Sequence, residues 1–404
     1  MSSTCSVVIV GGGIGGVSTA AALRNRGFLG DLTIVDAGEL PYDRPPLSKD
    51  YLAGRKSLDD IALQSPDWYD DQSITLRNNT TVAALRADSG TVELTTGEQL
   101  RADRVVLATG GQAVRPRLPG AGIDALHVLR SAEDADNLRK VLLPGARILV
   151  VGAGLIGAEV ASTALHLGAD VTLVDPLAEP LSAAIGRDAA EWLHSVHAAN
   201  GITTITAGID GFEKTTDGIR TYLRGEPHHF DAVVLGVGMT PNTQLAEWAG
   251  LAVDRGIIVS AGQLTSNPAV LAVGDPTRRT VDGAVRKRAE HWEAAQHDGA
   301  RAAATILGLS LPAETAPWFW TDRHGLHVEA VGQMSAATTA VTRGAIGEPP
   351  FAVFGIRHGN VVSAAAVNDS NAVRAARRLI DRAIAVDCRQ LGDPGVDLRK
   401  LLRA

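Results

Sequence analysis

Two glycine clusters, each followed by an acid, are the residues of this chain best suited to chemistry. Gly11-Gly12-Gly13-Ile14-Gly15-Gly16 fits G-x-G-x-x-G, and Gly152-Ala153-Gly154-Leu155-Ile156-Gly157 repeats it. Asp36 stands 20 residues after Gly16, and Asp175 stands 18 after Gly157. In such a turn Gly11 allows a tight bend, Gly13 lets the backbone approach a pyrophosphate, and Gly16 lets helix and strand pack closely. The phosphates then sit on N–H groups at a helix N-terminus, where the dipole is positive. Asp36 is spaced to accept from ribose hydroxyls.

The elements that must position these residues are legible around both turns. Ser6 to Val10 is β-branched and uncharged, and reads as a buried strand. An alanine-rich segment to Arg26 has helical composition, and Leu32 to Val35 is a second strand ending at Asp36. Arg147 to Val151, a helix, and Val171 to Val174 repeat that order before Asp175. A lone G-x-G-x-x-G is weak evidence; two in the order strand, turn, helix, strand, acid point to two dinucleotide-binding units.

The composition sets limits. A length of 404 residues suits two or three domains, and 45% apolar residues with 43 glycines suit a large α/β core. A net charge of −7 argues against nucleic acid as a partner. The two cysteines, Cys5 and Cys388, lie far apart, so no disulfide is expected and a reducing cytoplasm fits. Cys5 reads as a small half-buried residue. Met1 to Leu23 is uncharged but lacks a basic n-region, and its glycines suit a nucleotide turn better than a membrane span; a soluble protein is expected. His194/His197 and His324/His327 are spaced by three, but no cysteine or carboxylate framework completes either set, so no metal site is expected.

After Asp36 the run Pro41-Tyr42-Asp43-Arg44-Pro45-Pro46-Leu47-Ser48-Lys49-Asp50 reads as a rigid loop entering a helix near Ser48. Arg44 and Lys49 fit either a solvated loop or a role at the cofactor, with Arg44 on phosphate and Lys49 beside a reactive ring; composition leaves both open.

Here the sequence resembles a known family. Tyr42 to Lys49 after the first unit is similar to the oxygenase-coupled NADH-dependent ferredoxin reductases, which are glutathione-reductase-like FAD enzymes. Further segments resemble that family in its order: Val105 to Gly110 with its A-T-G turn, Leu129-Arg130 with Asp134-Ala135, Gly157 to Ala161, Gly236 to Asn242, Thr265 to Asp275, Glu290-His291-Trp292, and Pro317 to Asp322. The resemblance implies two Rossmann-like dinucleotide-binding domains plus a C-terminal α+β domain. The FAD domain would be residues 1–112 with 241–316, the NAD domain 113–240, and the interface domain 317–404, with linkers near Pro116 to Gly120 and at Thr240-Pro241. Val328 to Val331, Val353 to Ile356 and Val361-Val362 suggest an antiparallel sheet there, and Asn371 to Ile384 a helix.

The implied cofactor contacts are Gly11, Gly13, Ile14, Gly15, Gly16, Asp36, Arg44, Pro45, Lys49, Val82, Ala108, Thr109, Gly110, Arg130, Asp275, His291, Trp292 and Trp320 for FAD. For NADH they are Gly152, Gly154, Ile156, Gly157, Glu159, Asp175 and Gly238. Redox-active thiols of this fold follow the first unit, yet no cysteine occurs between Asp36 and Gly110, so thiol relays are excluded. The implied reaction takes a hydride from NADH to FAD and then gives single electrons to a [2Fe–2S] ferredoxin serving a cytochrome P450 or Rieske oxygenase. Lys49 would stabilise charge on the reduced ring, and Glu159 would hold Lys49.

Asp175, with no Lys or Arg from Pro176 to Gly186, favours NADH over NADPH. The family's usual arginine is missing around Ser182, which implies weaker NADH affinity. Glu329 replaces a usual glutamine, and Asn368-Asp369-Ser370 departs from a fuller segment. Five basic residues in the linker Pro276 to Arg288, and Arg374, Arg377 and Arg378 at i, i+3, i+4, offer positive patches for an acidic ferredoxin. A reductase for rubredoxin, quinone or dioxygen, and an NADH-sensing flavoprotein, are the competing readings.

Overall fold

The computed structural model describes residues 5–123 and 125–402, and the chain divides into two compact units. The first comprises the chain up to Pro45, Lys56–Gln112 and Met239–Ala313; the second comprises Pro46–Arg55, Ala113–Gly238 and the chain from Glu314.

In the first unit Ser6–Val10 lies inside a five-stranded sheet, with Asp31–Val35 and then Thr75–Arg77 on one side, and Arg104–Leu107 and then Val270–Ala272 on the other. All four pairings are parallel. Strand residues alternate faces, so Val7 and Ile9 pack beneath the helices Ile14–Asn25 and Trp292–Leu307, through Ala20, Leu23, Ala302 and Ile306. Val8 and Val10 face the opposite way, toward Leu85, Val92 and Leu94 of a three-stranded antiparallel sheet. The two helices pack closely because residue 299 is glycine: a Cβ there would lie 2.8 Å from the Thr19 nitrogen.

The second unit repeats the pattern. Arg147–Val151 is flanked by Asp170–Asp175 and Ala232–Leu235 in a parallel five-stranded sheet. A second sheet of five antiparallel strands runs from Trp318–Arg323 to Asn360–Val367. One face packs on Ile185, Ala189 and Leu193, and the other on Val373, Ala376 and Leu379 of the helix Ser370–Asp381. That helix starts where the Asp369 side chain accepts from the Ala372 N–H.

Both expected βαβ orders and the antiparallel sheet are present. Four local expectations are corrected. The segment at Ser48 is a short 3₁₀ helix, Pro45–Ser48, followed by turns rather than an α-helix. Pro276 to Arg288 is not an open linker: Thr277–Val281 pairs with Ile257–Val259 and turns back on Ala284–Val285. Thr240-Pro241 belongs to a short strand, Met239–Pro241. Cys5 is exposed, since it precedes the buried part of its strand. Among the described residues no helix is long and apolar enough to cross a membrane.

Candidate functional site

In the first unit the glycine turn lies where the strand order reverses, at the carboxyl end of Ser6–Val10. Open α/β sheets place ligands at such switch points. Gly11 has φ +112°, and a Cβ on it would lie 2.3 Å from the Ala108 carbonyl oxygen. A Cβ on Gly16 would lie 2.0 Å from the Gly11 oxygen, whereas one on Gly13 would meet nothing within 4 Å. Gly13 thus borders open space at the start of Ile14–Asn25, and it has no side chain to cap the first helical N–H groups. The second turn matches. Gly152 and Gly157 are closed by the Gly236 and Gly152 carbonyls at 2.4 and 1.9 Å, and Gly154 is open. These cradles fit the diphosphates of FAD and NADH by shape and by N–H supply.

Glycine substitutions separate the two roles. Gly154→Val should raise the KM for NADH with little change in melting temperature, because its side chain enters the open cradle. Gly157→Val should lower the melting temperature, because its Cβ meets backbone. Thermal melts beside NADH titrations check both.

Both acids are fixed from below. Asp36 Oδ1 accepts from the Gly38 N–H at 3.0 Å. Asp175 accepts from the Ala153 and Leu177 N–H groups, both at 2.8 Å. Around the first turn, Thr109 and Asn242 exchange bonds of 2.7 and 3.0 Å, and Gly110 accepts from the Asn242 N–H at 2.9 Å. Burial pushes the His291 pKa down, against the raising charges of Asp275 and Glu290. Trp292 Nε1 donates to Asp43 at 2.7 Å, tying the start of its helix to the loop that carries Arg44 and Pro45. Arg44 is exposed. Val82 is partly buried against the core cluster that includes Val10 and Val35.

The second unit gathers the charged residues. Glu159, in the helix Leu155–His166, is 4% exposed. It accepts from Ser48 Oγ at 2.5 Å, Thr321 Oγ1 at 2.7 Å, the Asp322 N–H at 3.1 Å and Lys49 Nζ at 3.4 Å. Lys49 lies nearer to Asp322, at 3.0 Å, and its ammonium stands 5.5 Å from the Trp320 ring centroid. Trp320 in turn stacks on Trp318. Segment 46–55 is anchored below by Thr163, which donates to the Ser48 carbonyl at 2.8 Å, and by Arg139, which donates to the Tyr51 and Leu52 carbonyls. Arg130 lies beside the N-terminus of Ala132–Arg139, its N–H donating to Asp134 at 2.9 Å. Ile156 is exposed, and Gly238 takes φ +110° with open space around it.

Sequence reasoning found Lys49, Glu159 and Trp320 but missed Ser48, Thr321 and Asp322 as their partners. Thr321 and Asp322 stand inside the Pro317 to Asp322 motif; only the fold shows where their side chains point. The histidine spacings conceal a different pairing: His324 Nε2 lies 2.9 Å from His197 Nδ1. Burial drives the His197 pKa to about 2 and the His324 pKa to about 4, with the Arg323 charge adding to both. Among the described residues no group of His, Cys, Asp or Glu is placed to hold a metal.

Residues 5–299 match the family described as pyridine nucleotide-disulphide oxidoreductase, and 318–402 match a reductase C-terminal domain. The chain belongs to the pyridine nucleotide-disulphide oxidoreductase family. Within that family it is 38% identical to the ferredoxin–NAD(+) reductase component of an anthranilate 1,2-dioxygenase system from Burkholderia cepacia, over 98% of both chains. It is 35% identical to putidaredoxin reductase of Pseudomonas putida, over 100% of this chain and 98% of that one. Its fold is similar to that of a chain in the crystal structure of a covalent putidaredoxin reductase–putidaredoxin complex, with a TM-score of 0.92, 33% identity and 98% coverage of each chain.

Proposed function

We infer that this chain is an FAD-dependent NADH:ferredoxin oxidoreductase, passing electrons from NADH to a [2Fe–2S] ferredoxin that serves a cytochrome P450 or Rieske oxygenase. Full-length likeness to ferredoxin reductases carries this reading. The lack of any cysteine between Asp36 and Gly110 supports it, since no thiol relay stands between flavin and acceptor.

FAD, when bound, supplies hydride acceptance and one-electron release. The chain holds and orients. The turn at Gly11 to Gly16 would carry the FAD diphosphate and Asp36 its ribose, with Asp275, Thr109 and Trp292 further along. The turn at Gly152 to Gly157 would carry the NADH diphosphate and Asp175 its ribose. Lys49 would be the cation that stabilises charge on the reduced ring, and Glu159 and Asp322 hold its ammonium in place. The proposed domains remain 1–112 with 241–316 for FAD, 113–240 for NAD and 317–404 for the interface, in a cytoplasmic protein.

For an acidic ferredoxin the helix Ser370–Asp381 offers Arg374 and Arg378 on its exposed side, while Arg377 is held by Thr315 and Asp381. Arg278 and Arg288, from the other basic stretch, are engaged with Asp254 and Glu290.

The coenzyme preference is testable on its own. Two N–H groups fix the Asp175 carboxylate at the second turn, where it would repel a 2′-phosphate. Asp175→Ser should narrow the NADH-over-NADPH preference in kcat/KM by about tenfold, the equivalent of about 1.4 kcal/mol. An unchanged ratio would place selectivity elsewhere.

The function itself is tested by cytochrome c reduction with NADH, with and without a small [2Fe–2S] ferredoxin. A large ferredoxin-dependent rate is expected. Rapid flavin bleaching by NADH without that dependence would point to another acceptor, such as rubredoxin or a quinone.

A further inference from the structure

From Lys49 the hydrogen bonds continue outward through Asp322 to His327 and Glu329, which have no role in the reaction described so far. Asp322 Oδ2 accepts from Lys49 at 3.0 Å, and Asp322 Oδ1 lies 2.6 Å from His327 Nδ1. His327 Nε2 lies 3.1 Å from Glu329 Oε1, and Glu329 Oε2 accepts from Trp318 Nε1 at 2.8 Å. The hairpin sets this row. Asp322 and His327 are cross-strand partners, and Glu329 follows His327 by two positions, so the three side chains share one face of the pleat.

A neutral imidazole has one N–H and can donate to one acceptor. Both ring nitrogens of His327 stand against carboxylate oxygens, an arrangement that the imidazolium satisfies. Burial pulls the His327 pKa down, but the bonds and charges of Asp322 and Glu329 outweigh it and raise the value above the ordinary one. Burial pushes the Asp322 carboxyl up, yet His327 and Lys49 together hold it below its usual range. Asn368 also meets His327, accepting from its backbone N–H at 2.9 Å, and Lys49 reaches it through Asp322. The side chain of Glu329 is 9% exposed, that of Lys49 17% and that of His327 42%. The row therefore opens to water at His327.

The overall reaction leaves a proton to dispose of. NADH gives up a hydride, two ferredoxins take one electron each, and one proton remains for every NADH oxidised. We propose that Lys49, Asp322 and His327 form the outlet for that proton, with Glu329 as a positioning residue that holds the His327 ring. The proposal rests on the ferredoxin reading. The His327 imidazolium first gives its Nδ1 proton to water and keeps its Nε2 proton on Glu329; Lys49 Nζ passes a proton to Asp322, Asp322 passes it to the vacated His327 Nδ1, and Lys49 is refilled from the reaction. Each turnover restores every group to its starting charge.

The test uses the holoenzyme with labelled histidine, followed by NMR across pH. One resonance, missing in His327→Gln, should titrate above the ordinary histidine value. In Glu329→Gln it should fall by about one unit or more, since one of two facing carboxylates is gone. In ferredoxin-supported turnover His327→Gln should lower kcat at least about tenfold, leave the KM for NADH unchanged, enlarge the solvent deuterium effect, and recover with added imidazole. A His327 titration that Glu329→Gln does not move would overturn the proposal. So would a His327→Gln enzyme with wild-type kcat and isotope effect. The NMR result does not depend on the acceptor, so a wrong acceptor would spoil the turnover assay while leaving the titration shift intact.

Discussion

Lys49→Met is expected to slow reduction of the bound flavin by NADH about 100-fold, the usual order for removing one charged group placed at developing charge. The Lys49 side chain is 17% exposed, so water screens its charge weakly. Two carboxylates and the face of Trp320 fix its position, so it need not reorganise during the reaction. Methionine keeps the length of the side chain and removes only the charge and the donors. Stopped-flow bleaching of the flavin absorbance gives the rate directly. Flavin content of the purified variant separates loss of rate from loss of cofactor. A variant that bleaches at the wild-type rate would remove Lys49 from the chemistry.

The second large effect is on stability. Glu159→Leu should destabilise the second unit by about 3–5 kcal/mol, the range for leaving a buried charge and its donors without a partner. Four donors converge on that carboxylate: two hydroxyls, an amide and an ammonium. Leucine offers none of them an acceptor. Glu159→Gln keeps one oxygen and should cost clearly less. Thermal melts of the three proteins check the order wild type, Gln, Leu. Equal melts for Gln and Leu would mean that shape, and not the acceptor oxygens, holds the cluster.

The two glycine turns and their strands were legible because each needs a particular residue at a particular backbone conformation. Gly11 and Gly152 take φ values of +112° and +98°, and no side chain fits beside the carbonyls they face. Such constraints are local and print themselves in sequence. The Glu159 cluster was half legible. Lys49 and Glu159 stood out through family motifs, but Ser48 and Thr321 are ordinary hydroxyls until the fold brings residues 111 and 162 positions apart onto one carboxylate. The contacts of the histidines were not legible for the same reason. A spacing of three suggests one helical face, yet His324 sits in the turn of a hairpin and His327 on its second limb, and they meet different partners. The basic run from Arg278 to Arg288 looked like an open patch because charge is visible in sequence and pairing is not.

The turns differ at three positions, and at one of them, the residue after the first glycine, the difference reaches the acid. At Gly12 an added Cβ would lie 2.0 Å from Asp36 Oδ2, whereas Ala153 carries its methyl and still donates its N–H to Asp175. Gly12→Ala would therefore displace the Asp36 carboxylate while leaving the open space at Gly13 unfilled. The reverse change, Ala153→Gly, would be tolerated. At this position the two turns are interchangeable in one direction only, and a single methyl group sets that direction.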